Sequence, residues 1–528
     1  MNNSLQLAKL YYYTIRNLTF RQIYYQLYYR VKRLIGNKVT YNKTDLVNVQ
    51  ALSLISSLSG ENSYEGTHQF TFLNKKKVYE HNIDWNFNGY GKLWTYNLNY
   101  FDFLHQERIS KNEALSLLDK FCEKPDEIKV GVEPYPISLR GINWIKFFAL
   151  NKIDNPVYSK VLKSHYFNLY QNLEFHLLGN HILENAFSLL FGSFYFREDK
   201  FFLTAITILK EELAEQILED GAHFELSPMY HQILLFRLLD CINLVKNNPW
   251  KNDGLIDVLE STAIRMIGWL KHVTFKNGDI PMVNDSAFGI APSTTSLLEY
   301  ASRLGIHSCK IELSDSGYRM VRTDKYELFL DVGNIGPDYI PGHAHSDTFN
   351  FLLHVDGEPV IVDVGTSTYD VCFRRYQERS TISHNTIQIN DLEQSEVWSS
   401  FRVGKRAKVI ELSEKDNSIR GEHNGYSSIG LIHSREWEWS NNEINIMDEL
   451  ISKKFDIKAK ARIHFHPDVD IIIAKNYIDL SGIRIEFDGS YELKQFDYEF
   501  ASGFNRCLKA KGVLIVFSKS LKTRIIIK

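Results

Sequence analysis

Residues 318–333 read YRMVRTDKYELFLDVG, and here the apolar period of the chain drops to two. Tyr326, Leu328, Leu330 and Val332 alternate with Lys325, Glu327, Phe329 and Asp331, the spacing of a strand with one face on a core. Just upstream, LIDVLESTAIRMIGWLKHVT (255–274) repeats its apolar positions at three and four, the period of a helix. The helical period also fills NEALSLLDKFCEK (112–124), YFNLYQNLEFHLLGNHILENAFSLLFGSFYF (166–196), FFLTAITILKEELAEQILEDG (201–221) and MYHQILLFRLLDCINLVKNN (229–248). Pro125, Asn151 to Pro156, Gly221, Asn247 to Pro249 and Asn277 to Asp279 punctuate these stretches. Short connections of this kind predict at least about five or six helices paired as antiparallel hairpins. Downstream the strand period continues through FNFLLHVDGEPVIVDVG (349–365), HNTIQIN, EINIMDELIS, ARIHFHPDVDIIIA and GVLIVFSKS. Asp356-Gly357 marks a two-residue hairpin turn. The expected fold is therefore α+β and multidomain: helical hairpins, then a large antiparallel β domain of stacked sheets. We divide the chain into an N-terminal extension (1–84), a helical domain (85–308) and a β domain (309–528).

Composition removes several function classes. With 61 Lys and Arg against 64 Asp and Glu, the net charge of −3 argues against a general nucleic-acid binder. Hydrophobic residues at 44% and charged residues at 24% exclude disorder. Five scattered cysteines without CxxC spacing exclude a disulfide scaffold and a thiolate zinc site. The sequence has no glycine-rich phosphate loop. The N-terminal stretch MNNSLQLAKLYYYTIRNLTFRQIYYQLYYRVKRLIGNK (1–38) reads as a basic, Tyr-rich amphipathic helix, its apolar runs interrupted by Arg16, Arg21 and Arg30. No secretory signal is read there. Two placements are expected: an arm packed on its own domain, or a peripheral contact with a membrane surface or an assembly partner. The localisation this favours is cytoplasmic or membrane-peripheral, with the periplasm left open.

Four clusters of polar residues break the apolar pattern. In GNHILENA (179–186), Asn180 and Glu184 share a helix face, with His181 and Asn185 one step round. In EDGAHFELSPMYHQ (219–232), Pro228 opens a helix and Tyr230 falls in its first turn, where the positive dipole end favours a phenolate. In PGHAHSDTFNF (341–351), His343 and His345 are two apart and so point the same way on an extended backbone, beside Asp347. Asp363 and His384 follow. Two histidines and one aspartate suit a first-row metal, zinc included. A flat hairpin turning at Asp356-Gly357 would set Asp363 opposite residue 350. His345 then reaches Asp363 only if residues 342–347 fold back as a loop. The fourth cluster is CFRRYQERSTISHNT (372–386), where Arg374, Arg375 and Arg379 offer guanidinium forks for carboxylates or sulfates, or ion pairs with acids such as Glu378. A weaker set, Trp94, Tyr96 and Asn97 with Arg140, Asn143 and Trp144, has the composition of a sugar cleft but also that of a packed core.

The order of these motifs resembles the heparinase II/III-like polysaccharide lyases: NHxxEN, DGxxxExSPxYH, GHxHxD, VDxGTxxY and RSTxSHNT, over roughly residues 85 to 470. The resemblance implies an incomplete (α/α) toroid followed by an antiparallel β-sandwich or super-roll, with the cleft between them. It implies β-elimination of an anionic, uronic-acid-containing polysaccharide, sulfated in some members, and relatives associated with polysaccharide assembly or export. Carried over residue by residue, Tyr230 matches the catalytic tyrosine and His343 the catalytic histidine. Asn180, or His181 next to it, matches the group that neutralises the substrate carboxylate. His345, Asp363 and His384 match the ligands of a divalent metal, zinc by its donors, in a structural role. Glu184, Arg374, Arg375, Arg379 and the Trp94 and Trp144 sets would contact substrate.

Two rival readings stand beside this one. A toroid glycoside hydrolase would need two carboxyl groups ~5–9.5 Å apart, drawn from Glu184, Asp220, Glu225, Asp279 and Asp285. A non-catalytic glycan-binding protein of an assembly system would keep the fold without the chemistry.

Overall fold

The computed structural model describes residues 3–35, 47–452, 457–490 and 492–528. Its first half is helical. The helix Gly179–Phe196 runs through the middle of this half, with nearly all of its residues buried. Around it pack Pro134–Asn151, Asp199–Gln216 and Pro228–Asn247. A helix hydrophobic on all sides can only sit at the centre of such an array. Local chemistry sets the helix starts. Ser110 and Glu113 form a capping box, and Asn155, Ser227 and Ser293 each accept a hydrogen bond from a backbone N–H of the first turn.

Residues assigned to an N-terminal extension do not stand apart. Leu52, Tyr64, Phe70, Phe72, Tyr79 and Ile83 belong to the helical core, so residue 84 is not a break in packing. The single N-terminal helix expected from sequence is two, Asn3–Ile15 and Phe20–Ile35. The break falls at Thr19, whose hydroxyl accepts from Gln22 N–H while the Gln22 amide oxygen accepts from Thr19 N–H. That reciprocal pair is the capping-box geometry and starts a new helix. The last residues of the quoted stretch, 36–38, lie outside the described residues.

The second half is antiparallel throughout. Four strands, Tyr318–Arg322, Tyr326–Asp331, Phe351–Val355 and Glu358–Ile361, form a sheet in that order. An eight-stranded sheet and a second four-stranded sheet stack beyond it around a common apolar core. The Asp356-Gly357 turn is present, with φ of 52° and 84°. Positive φ at both positions is what a tight hairpin of this twist requires.

The stretch YELFLD, Tyr326–Asp331, is buried at every position. Phe329, opposite Leu352, packs into the helical core with Tyr318, whereas Leu328 and Leu330, opposite Leu353 and Phe351, enter the sheet core. The alternation read in the sequence thus separates two apolar environments rather than core from water, and this sheet joins the two halves. Phe329→Ala would open a cavity at that seam. We expect a loss of about 3–5 kcal/mol, measured by chemical denaturation.

Candidate active site

The site forms where the helical half meets the loops of the first sheet. Its fixed point is Asp285, fully buried, from the loop between the helices Leu255–Val273 and Thr294–Arg303. Asn284 precedes it in the left-handed region, φ 51°, a conformation asparagine tolerates. Asn284 Nδ2 donates to Leu226 O and its Oδ1 accepts from His345 N–H, each at about 3 Å. Asp285 then receives three partners. Arg375 grips both oxygens, with Nη2 2.7 Å from Oδ2. His343 Nδ1 lies 2.8 Å from Oδ2, and His345 Nε2 3.0 Å from Oδ1. Burial alone would raise the carboxyl pKa, yet Arg375 and the two imidazoles hold it well below the ordinary value.

His343 Nδ1–H donates to this carboxylate, which turns the other ring nitrogen, Nε2, away from Asp285. Asn180 Nδ2 stands 3.4 Å from it and Glu225 Oε2 3.3 Å. Glu225 also accepts from the Asn180 backbone N–H at 2.9 Å, at the positive end of the central helix. Gly179, φ 55°, permits this approach, since a Cβ there would collide with the Glu225 carboxylate.

Tyr230 lies in the first turn of Pro228–Asn247 as its sequence predicts. Its ring stacks on His343 with centroids 3.9 Å apart, and its hydroxyl is 3.5 Å from that of Tyr369. The expected phenolate is corrected by the surroundings. Burial pushes the phenol well above its ordinary value, helped by Asp285 and Glu225 and opposed by Tyr369 and Arg375. Desolvation and nearby carboxylates outweigh the helix dipole, so Tyr230 holds its proton.

His181 behaves oppositely. Its side chain is 35% exposed and its Nδ1 pairs with Glu174 Oε1 at 3.2 Å. Burial works against its charge, but Glu174, Glu225 and Glu184 raise its pKa above the ordinary value. From His181 a file of rings runs outward through Tyr135, Tyr100 and Tyr96, with centroids 4.7, 6.2 and 6.3 Å apart. Glu184, one turn beyond Asn180, is fully buried, its nearest cationic partner being Arg237 at 3.6 Å. Neither carboxylate oxygen has a hydrogen bond. Burial lifts its pKa to about 7 against the pull of Arg237.

Several sequence expectations are displaced. Arg374 pairs with Glu378 and Glu499 instead of facing the cleft. Arg375 is spent on Asp285 and the Ser400 carbonyl. Arg379 donates to the carbonyls of Ala344 and Ser399, and burial and Arg375 lower its pKa to about 9. Buried forks with internal partners hold loops and cannot grasp a sulfate. Trp94 is buried against Phe72 and Phe87 and donates to Lys75 O. Trp144 is wedged between Phe101 and Phe121. Arg140 donates to the carbonyls of Asn99 and Gly131, Asn143 to Tyr100 O and Asp102, and Asn97 to Leu93 O. Of that set only Tyr96, half-buried, belongs to the ring file leading from the site. Sequence reasoning weighed Glu225 and Asp285 only as hydrolase carboxylates and did not single out Tyr369. Glu225 sits two residues before the Ser-Pro that opens the Tyr230 helix, a signal within reach.

Residues 342–347 do fold back as an irregular loop. Asp363 meets Asn350 and His384 at 2.7 and 2.8 Å, and the His345 and His384 rings lie 5.4 Å apart. His345 Nδ1, His384 Nε2 and Asp347 Oδ2 are buried without a hydrogen-bond partner. Among the described residues, no three His, Cys, Asp or Glu side chains stand in metal-binding geometry.

A folded-state pKa of about 7 at Glu184 against an ordinary 4.5 means the folded protein binds the proton more tightly. Stability should therefore fall as pH rises through that window. Glu184→Gln should flatten the fall, amounting to about 3 kcal/mol at alkaline pH, in denaturation curves collected across pH.

Comparison with known proteins agrees with this geometry. The heparinase II/III N-terminus profile matches residues 147–303, and the heparinase II/III-like C-terminal profile matches residues 307–508. A heparin-sulfate lyase of Pedobacter heparinus is 25% identical over 344 residues, 57% of this chain and 48% of that protein. One of Bacteroides stercoris is 24% identical over 250 residues, 41% of this chain and 37% of that protein. The chain thus spans less than half the length of the curated relatives it matches. The crystal structure of heparinase III superposes with a TM-score of 0.66 at 15% identity, covering 93% of this chain and 87% of the other. That likeness carries the fold, a helical toroid joined to antiparallel sheets. Taken together, the two adjoining profile matches, the shared fold and the ordered motifs around Asp285 place this chain in the heparinase II/III-like family.

Proposed function

We propose that this protein is a polysaccharide lyase that cleaves a uronic-acid-containing polysaccharide by β-elimination. The observation that carries the reading is the stack of Tyr230 on His343, a protonated phenol against an imidazole whose Nδ1 is held by Asp285. Two proton-handling groups with distinct tasks thus share one surface. The relatives' name, heparin-sulfate lyase, supports the same class.

The C5–H of a uronate is too weak an acid to ionise beside a negative carboxylate. His181, whose charged form Glu174 favours, neutralises that carboxylate with Asn180 and stabilises the enolate-like state. Glu184, whose pKa burial lifts to about 7, lies one turn beyond Asn180 on the same helix face. His343 Nε2 takes the C5 proton, and Glu225 stabilises the imidazolium formed. The C4–O4 bond then breaks, its electrons leave with O4, and the Tyr230 hydroxyl protonates the departing oxygen. The product carries a 4,5-double bond.

The rival hydrolase reading is weaker because two of its candidate carboxylates, Asp285 and Asp220, are taken up by internal partners. Asp285 is gripped by Arg375, and Asp220 accepts from Ser314 and Ser316 N–H and the Ser316 hydroxyl. In a screen of uronic-acid polysaccharides, sulfated chains included, cleavage should appear as near-ultraviolet absorbance of the unsaturated product. Tyr230→Phe and His343→Ala should each lower kcat by about 10²–10⁴-fold while leaving polysaccharide binding intact. Cleavage without absorbance would favour the hydrolase, and binding without turnover in the unaltered protein a glycan-binding role.

A structural divalent metal, zinc by its donors, is proposed at His345, Asp363 and His384. The bare nitrogens of His345 and His384 support it, while Asp363, which meets His384 through Nδ1, has to turn toward the ion. Binding requires His345 to offer Nδ1, the ring nitrogen not engaged by Asp285. Elemental analysis of purified protein should find about one zinc per chain, lost in His384→Ala; a metal-free wild type removes the site. The N-terminal helix pair is assigned the peripheral membrane or assembly contact, supported by exposed apolar residues such as Phe20 and Leu34.

A further inference from the structure

The N-terminal helix pair turns its apolar side away from the protein. In Phe20–Ile35, Gln22 and Tyr29 are buried against the body. Phe20, Ile23, Leu27, Val31 and Leu34, spaced by three or four, form one stripe on the opposite side. That stripe is exposed, Phe20 to 84% and Leu34 to 88%. In Asn3–Ile15, Leu5, Tyr12 and Ile15 are exposed as well. A helix that buries glutamine and shows leucine to water has its amphipathicity reversed, and so large an apolar face calls for an occupant.

The charges around the stripe identify that occupant. No Asp or Glu precedes Asp45, while that stretch holds eight Lys and Arg. Lys9, Arg16 and Arg30 are exposed alongside the apolar residues. Tyr24 and Tyr28, also exposed, put rings with polar tips at the edge of the stripe, the chemistry of a membrane–water interface. The longer helix measures about 24 Å, and among the described residues no helix is long and apolar enough to cross a membrane.

We propose that the two helices lie flat in the headgroup layer of an anionic lipid bilayer, with the stripe inserted and the cations on lipid phosphates. The pair is fastened to both walls of the catalytic cleft. On the β side, Thr14 Oγ1 accepts from Trp398 Nε1 at 3.2 Å and lies 3.1 Å from Val403 O, with Leu10 O at 2.8 Å as its nearer acceptor; these two β residues flank the Ser400 that receives Arg375. On the helical side, the Tyr29 hydroxyl donates to Leu173 O, beside the Glu174 that holds His181. Gln22 Nε2 donates to Tyr339 O at 3.2 Å, four residues before His343. Membrane attachment therefore sets the cleft close to the lipid surface, where it meets polysaccharide near the bilayer. The proposal rests on the peripheral-contact reading and on no step of the elimination, so vesicle binding and turnover fail independently.

The test is flotation of the full chain with vesicles of phosphatidylglycerol and phosphatidylcholine, against phosphatidylcholine alone. Flotation with the anionic vesicles is expected. Arg16→Gln and Arg30→Gln should each weaken binding about fivefold. The double variant Leu27→Glu/Val31→Glu should lose it while keeping the thermal transition, because neither side chain packs on the body. No flotation, or equal binding to both vesicle types, overturns the proposal. So does a solution dimer of the wild type that Leu27→Glu/Val31→Glu dissociates, which would assign the stripe to a second copy of the chain.

Discussion

The buried carboxylate of Asp285 sets the terms for the whole cleft. An unpaired charge at that depth costs several kcal/mol, so the fold must bring it cations and donors. It does so with a guanidinium fork from Arg375 and the imidazoles of His343 and His345. Those partners come from a loop and a short helix of the β half, while Asp285 belongs to an interhelical loop of the helical half. One electrostatic requirement thereby locks three segments far apart in sequence. It also turns His343 Nε2 toward Asn180 and Glu225.

Proton affinities are driven apart around this centre. Asp285 is held ionised by its partners, Tyr230 is kept protonated by burial, and Glu174 shifts His181 toward its charged form. The proposed elimination, which removes one proton, donates another and neutralises a carboxylate, needs that separation. The seam supplies it because the sheet opened by Tyr318–Arg322 belongs to two cores, one with the helices and one with the other sheets. Water is excluded from both sides, and the charges in the seam interact strongly as a result.

The arginines and tryptophans illustrate how far composition can mislead about a binding cleft. Arg375 and Arg379 are close in sequence to His384 and meet the Asp285 carboxylate and the Ala344 carbonyl beside His343 and His345, and they hold loops in place. Trp94 and Trp144 have the side chains of sugar platforms but fill the helical core. A ring or a fork has the same chemistry in either place. Whether it meets solvent depends on neighbours such as Phe101 and Phe121.

What the sequence by itself determined is local or ordered along the chain: the change of period near residue 318, the Asp356-Gly357 turn, the Pro228 helix start that carries Tyr230, and the succession of motifs that names the family. Backbone periodicity and turn chemistry act over a few residues, so they survive translation into one dimension. Only the tertiary structure decided that Glu225 and Asp285 flank His343, that the Tyr230 phenol keeps its proton, and that the apolar stripe of the N-terminal helix faces outward. Periodicity reveals that a helix has an apolar side and not which way that side points. The partner of a buried charge lies tens of residues away, and desolvation is set by everything packed around a group, so neither can be read from spacing alone.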